Sequence, residues 1–87
     1  MMPYIKQERR EELEEVLNVM IKNGVTASTG DINYILFAYC SRIVKPVESY
    51  HAYKMYIAEL NECAAEIRRR FLAPYENEKL KKNGDIP

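Results

Sequence analysis

Apolar residues recur at every third or fourth position in three stretches of this sequence, and no other feature restricts its fold as much. This spacing places the apolar residues on one side of an α-helix. No stretch alternates apolar and polar residues for long enough to form a strand. The sequence therefore predicts an all-α fold, a three-helix bundle with a short C-terminal helical extension after Pro74. The 87 residues predict a single helical domain, residues 1–87. Its helices are predicted at about 6–23, 29–44, 49–73 and 75–82.

Residues that start or end helices separate the three stretches. Gly24 is predicted to end the first helix, because glycine adopts a left-handed cap at little cost. Ser28 and Asp31 fit a capping box for the second helix, and Ser49 is predicted to cap the third. Pro74 is expected to end or kink the third helix, because proline lacks an amide hydrogen and its ring clashes with the preceding turn.

The second predicted helix is apolar on both sides. It carries no charge between Asp31 and Arg42, and Tyr34, Phe37 and Ala38 lie opposite its main apolar stripe. Such a helix is normally buried on both faces. In a domain this small, burial on both faces indicates either a central place in the bundle or an intermolecular contact.

The third predicted helix is longer than the other two and has its own stripe. A second helix that is apolar on both sides and a third helix longer than its neighbours both leave apolar surface that one chain does not cover, so we predict a homo-oligomer. The residues of the stripe, which we expect to form core, are Tyr53, Tyr56, Ile57, Leu60, Ala64, Ile67 and Phe71.

Composition limits the class of protein. Lys plus Arg and Asp plus Glu number 13 each, whereas a general nucleic-acid binder normally carries a positive excess. Cys40 and Cys63 match no metal or disulfide spacing, so we expect two buried thiols in a reducing compartment. No apolar run approaches the length of a membrane span. We therefore expect a cytoplasmic protein that does not bind membranes.

The sequence shows no catalytic constellation. His51 is the only histidine, and it belongs to no nucleophile or metal-ligand spacing. We expect it to be solvated or to help cap the third helix. The three glycines form no phosphate-binding loop. We therefore predict no enzyme, no cofactor and no metal.

Surface contacts are predicted mainly at tyrosines and arginines. Tyr4, Tyr34, Tyr50 and Tyr75 lack an obvious core role, and tyrosine is common at interfaces. Arg68-Arg69-Arg70 is the densest basic run. One interpretation is a charged helix end in which Arg70 pairs with Glu66. The other is a site where one or two of the arginines contact an anion or an acidic partner.

The start of the second helix is the candidate ligand site. Free backbone amides, Gly30, Asn33 and Tyr34 could hold a phosphate and stack a base if Arg68 or Arg69 lies nearby. The alternative is that Ser28 and Asp31 cap the helix while Tyr34 packs in an interface. The charge of Asp31 counts against an anion. The predicted ligand- or partner-contact residues are Gly30, Asn33, Tyr34, Phe37, Arg68, Arg69 and Tyr75.

Three separated motifs resemble a family of small uncharacterised proteins of bacteriophages, prophages and bacterial genomes. They are "MPYIKQERR", "GDINY" and "LNECAAEIRRRFLAPYENEKLKKNGD". Met1 precedes the motif that starts at Met2, and residues 42–54 match no motif of the family. The resemblance implies a phage context and no established activity.

These observations predict a non-enzymatic phage accessory protein that binds a host target. It would act as a counter-defence inhibitor or sequester a signalling nucleotide, in the host cytoplasm if phage-encoded. The expected partners are a second copy of the chain and either a host protein or a small anionic ligand. The alternative is a nucleic-acid-associated or virion-assembly factor that uses residues 68–82.

Overall fold

The computed structural model describes residues 5–86, and every regular element in that range is helical. The all-α prediction is thus confirmed for these residues. The elements are α1 (Gln7–Lys22), α2 (Asp31–Val44), a 3-10 turn (Lys45–Val47), α3 (Tyr50–Ile67), a π-helical segment (Arg68–Leu72) and α4 (Ala73–Asn83).

The chain divides into two compact units, one that ends at Pro46 and one that begins at Val47. The first unit contains α1 and α2. The second contains α3, the π-helical segment and α4. The boundary follows Pro46, which lies in the 3-10 turn between α2 and α3, where proline is tolerated because the α-helix has already ended.

Gly24 ends α1 in the way predicted. Its φ angle is +66°, a left-handed conformation that glycine adopts without a side-chain penalty. The N–H of Gly24 donates to the carbonyl of Ile21 (3.0 Å), and the N–H of Val25 donates to that of Met20 (3.1 Å). This pair of bonds is a Schellman motif, which satisfies carbonyls that the end of a helix would otherwise leave without partners.

The predicted capping box at the start of α2 is wrong. The residue before the helix is Gly30, with φ +82°, and no side chain caps the helix. Because α2 begins only at Asp31, Ser28 lies too early to serve as its cap. The Ser28 hydroxyl instead lies 3.2 Å from that of Thr26, and the Thr26 carbonyl accepts a bond from the N–H of Ile32 (3.1 Å).

Ser49 caps α3, as predicted. Its hydroxyl accepts a hydrogen bond from the N–H of Ala52 at 3.3 Å. The residue before it, Glu48, has φ +50° and is the one non-glycine residue with positive φ in the range 5–86. A residue with a Cβ adopts this conformation at a cost.

Pro74 does not end the long helix, so of the two predicted outcomes, an end or a kink, the end is wrong. Backbone angles at Arg68, Leu72 and Ala73 are all right-handed helical, so α3 continues through the π-helical segment into α4. A π turn contains one residue more than an α turn, which gives room before the proline ring. Pro74 then occupies the first turn of α4, where a missing N–H is tolerated.

Burial is slight in both units. Val44, 3% exposed, is the one buried apolar residue between residues 5 and 86. None of residues 47–86 is buried. The expectation that the stripe of α3 forms a core is therefore wrong for a single copy of the chain. The expectation of two buried thiols is also wrong, because Cys63 is exposed and Cys40 is partly exposed. Periodicity identifies the apolar side of a helix but not whether anything covers it.

Candidate functional site

The predicted contact residues fall into two groups that belong to different units. Gly30, Asn33, Tyr34 and Phe37 lie at or near the start of α2, and the remaining predicted residues lie on the long helix of the second unit. Tyr4, a further tyrosine proposed for contacts, lies outside the described residues.

Tyr34 and Phe37 form an exposed aromatic pair on α2. Their exposed fractions are 65% and 73%, and three residues of separation place them on neighbouring positions of one helix face. Asn33 is exposed beside them, whereas Ala38 is half-buried. Two large aromatic rings side by side in solvent are characteristic of a contact surface rather than of a solvated helix face.

The start of α2 is a poor anion site by local geometry. The N–H of Ile32 is already bonded to the Thr26 carbonyl, which removes one of the amides that an anion would need. Asp31 is half-buried there and contributes negative charge. A Cβ added at Gly30 would meet no atom within 4 Å, so glycine is required there by its backbone angle and not by a close neighbour.

Glu66 binds two of the three arginines in the second group. It forms an ion pair with Arg70 (Nε to Oε2, 2.9 Å) and another with Arg69. The Glu66 side chain is 19% exposed, whereas those of Arg69 and Arg70 are 61% and 55% exposed. The interpretation of Arg70 as a partner of Glu66 is therefore confirmed. Arg68, at the first position of the π-helical segment, forms no ion pair with the residues that the structure describes.

Tyr75 lies in a basic environment on α4. The Lys79 ammonium lies 5.5 Å from the centre of the Tyr75 ring, a cation–π distance. A shallow depression lies against these side chains, open to solvent. Its lining residues are Tyr75, Glu78, Lys79, Lys81 and Lys82. The sequence pattern missed Lys79; a tyrosine followed four positions later by a lysine on a helix is the signal that identifies it.

The described residues contain neither a metal-binding cluster nor a membrane-spanning helix. No group of three or more His, Cys, Asp or Glu side chains in residues 5–86 is placed to hold a metal ion. His51 is exposed in the first turn of α3. In the same range, none of the helices combines the length and apolar character needed to cross a membrane.

A family model, described as a domain of unknown function (DUF6899), matches residues 2–86. The chain belongs to the DUF6899 family. The match covers nearly all of the sequence, so α1 to α4 all lie within the DUF6899 region. No curated protein and no solved structure matches the chain.

Proposed function

We propose that this protein is a non-enzymatic binding protein whose exposed apolar helix surfaces contact other polypeptides. The observation that carries the proposal is the exposure of Tyr34 and Phe37, 65% and 73%, on one face of α2. Exposed aromatic side chains lose unfavourable contact with water when a partner covers them, and aromatic residues are enriched in the centres of protein interfaces.

The proposed target is a host protein, and the proposed biological role is that of a phage accessory factor, such as a counter-defence inhibitor. The resemblance to small phage proteins supports this context, although a family context is weaker support than a site. The proposal includes self-association. Pairing with a second copy would cover an apolar stripe that the other helices of the same chain would cover in the predicted three-helix bundle.

A protein target is favoured over a sequestered nucleotide. The half-buried carboxylate of Asp31 would repel a phosphate at the start of α2, and the bond from Ile32 to Thr26 occupies one amide of the site. Tyr34 and Phe37 expose apolar area, and a protein partner could cover more of that area than a nucleotide base could.

A nucleic-acid partner is the second candidate, and the local charge of residues 68–82 favours it, although the second unit as a whole carries no formal net charge. Residues 68–82 contain arginines at 68, 69 and 70 and lysines at 79, 81 and 82, against two glutamates. Phosphate contacts from such side chains supply most of the affinity of non-specific nucleic-acid binding. Glu66, however, already pairs with Arg69 and Arg70.

The proposal is tested by capture of host proteins with matched variants. The immobilised wild-type protein, a Tyr34→Ala/Phe37→Ala variant and a Val47→Ala control are incubated with host lysate. Val47 is a suitable control because it is a comparably exposed apolar residue, 60%, in the other unit, and it is not one of the predicted contact residues. Circular dichroism checks that all three remain helical.

We expect a host protein that binds the wild type and the Val47→Ala control but is lost with the α2 variant. Capture that is unchanged by the α2 variant would contradict the proposal. Capture of nucleic acid alone, removed by nuclease, would favour the second candidate.

A further inference from the structure

Apolar residues on the long helix repeat with a spacing that alternates four and three. The mean spacing of 3.5 residues is the heptad repeat of a coiled coil, which gives a seam on one side of a left-handed pair of helices. We call this set the α3 seam. Its residues are Tyr53, Ile57, Leu60, Ala64, Ile67 and Phe71.

The α3 seam is exposed along its whole length. Tyr53 and Leu60 are each 40% exposed, Ile57 is 57%, Ile67 is 54% and Phe71 is 69%. The seam ends at Phe71 for a structural reason. Phe71 lies in the π-helical segment, whose wider turn shifts Phe71 to the edge of the seam and rotates the residues that follow it away from the line of the seam.

The order of side chains along the α3 seam is nearly the same when read in reverse. An aromatic residue stands at each end and an isoleucine next to each end, and Leu60 and Ala64 lie on either side of the midpoint. Two antiparallel copies would therefore place Tyr53 against Phe71, Ile57 against Ile67, and the large Leu60 against the small Ala64. A surface that is complementary to itself after a two-fold rotation is what a symmetric dimer requires. We propose that α3 pairs with the α3 of a second copy of this chain in an antiparallel coiled coil.

Charge favours the antiparallel orientation over the parallel one. Arg68, Arg69 and Arg70 lie at one end of the α3 seam, and Glu66 compensates only part of their charge. A parallel pair would bring the arginines of both copies together at the same end, where like charges repel. The antiparallel pair places the two clusters at opposite ends.

The flanking positions give one favourable and one unfavourable pairing. Tyr56 lies opposite Arg70 of the partner subunit, a combination suited to a cation–π contact. Lys54 lies opposite Arg68 of the partner subunit, and these charges repel. This second pairing provides a specific test, because only the antiparallel arrangement brings positions 54 and 68 together.

The area available reaches the lower limit for a specific dimer. A large aromatic side chain buries roughly 150–250 Å², so the half-exposed large residues of the α3 seam offer on the order of 500 Å² per copy. Two copies then reach about 1,000 Å², the lower limit for a specific interface, before the flanking side chains are counted. This inference concerns a surface other than that of α2 and does not depend on a host protein.

The first experiment compares two exposed apolar positions on the same helix. Ile57, 57% exposed, lies in the α3 seam, and Met55, 51% exposed, lies outside it. Light scattering during size exclusion should give twice 10.2 kDa for the wild type. Ile57→Glu should raise the Kd of the dimer by roughly tenfold or more, because the interface would bury an unpaired charge, whereas Met55→Glu should leave the dimer intact. A monomeric wild type, or equal effects of the two variants, would overturn the proposal.

The second experiment tests orientation in a variant that lacks Cys40 and Cys63. Chains carrying Ile57→Cys are mixed with chains carrying Ile67→Cys and oxidised. The antiparallel pair should give a disulfide between positions 57 and 67 of different chains, whereas a parallel pair would give 57–57 and 67–67 disulfides and overturn the proposal. Lys54→Glu should strengthen the antiparallel dimer by creating an attraction to Arg68 of the partner subunit; an unchanged or weaker dimer would contradict the orientation.

Discussion

The Arg70 Nε lies 2.9 Å from the Glu66 carboxylate one helical turn earlier, at the point where α3 passes into the π-helical segment. Glu66 also pairs with Arg69. One carboxylate thus pairs with two of three consecutive arginines and offsets one of their three positive charges.

Glu66→Gln should lower the free energy of unfolding by about 0.5–1.5 kcal/mol, because exposed ion pairs contribute about 0.2–1 kcal/mol each. The loss should shrink in high salt, which screens surface charge. Urea unfolding measures it. Glu62→Gln, on the same helix, is the control and should change stability by less than about 0.5 kcal/mol. Equal losses for the two variants would argue against a specific role for the Glu66 pairs.

Ser49→Ala should destabilise the protein by about 1 kcal/mol, because it removes the side-chain acceptor for the Ala52 N–H. Ser28→Ala is the matched variant, since Ser28 resembles a helix cap in sequence but does not cap α2. Its effect should stay within about 0.5 kcal/mol. Thermal unfolding of both variants compares the two, and a larger loss for Ser28→Ala would contradict the cap assignment.

Glu48→Gly should be neutral or stabilising by up to about 1.5 kcal/mol. Relief of the left-handed backbone is worth about 1–2 kcal/mol and the extra chain entropy of glycine costs about 0.5–1 kcal/mol. Glu48→Val should destabilise, because a β-branched residue tolerates φ +50° poorly. Denaturant midpoints for the two variants should therefore move apart. A valine variant as stable as the glycine variant would contradict a left-handed Glu48.

Binding to DNA should be weak and steeply dependent on salt if residues 68–82 touch phosphates at all. A fluorescence titration of labelled DNA at several salt concentrations measures the slope. Lys79→Ala and Lys82→Ala should each reduce the slope if the depression beside Tyr75 is used. Lys22→Ala, in α1, is the control. Tight binding that is insensitive to salt would contradict contacts to phosphate.

Sequence reasoning succeeded where a local signal decides the structure. Gly24 and Ser49 act through bonds to residues no more than four positions away, so their roles can be read from the chain. It failed at Ser28, where the left-handed Gly30 takes the position of the cap, and at Pro74, where a π turn accommodates the ring. Whether the stripe of α3 is covered depends on distant residues or on another chain, which periodicity does not contain. The same limit applies to α2. The sequence pattern predicts Tyr34 and Phe37 as contact residues, but it does not show whether other parts of the chain cover them.

The π-helical segment holds one residue more than ordinary α turns would need to cover the same rotation. Deleting one residue from Arg68–Leu72 would therefore allow regular α turns and leave α4 facing nearly the same direction relative to α3. A deletion within α3 itself would instead rotate everything that follows it by about 100°, and Tyr75 and the lysines of α4 would face a different direction although none of them had changed. The basic C-terminal surface therefore tolerates a single-codon deletion in the π-helical segment but not one in α3.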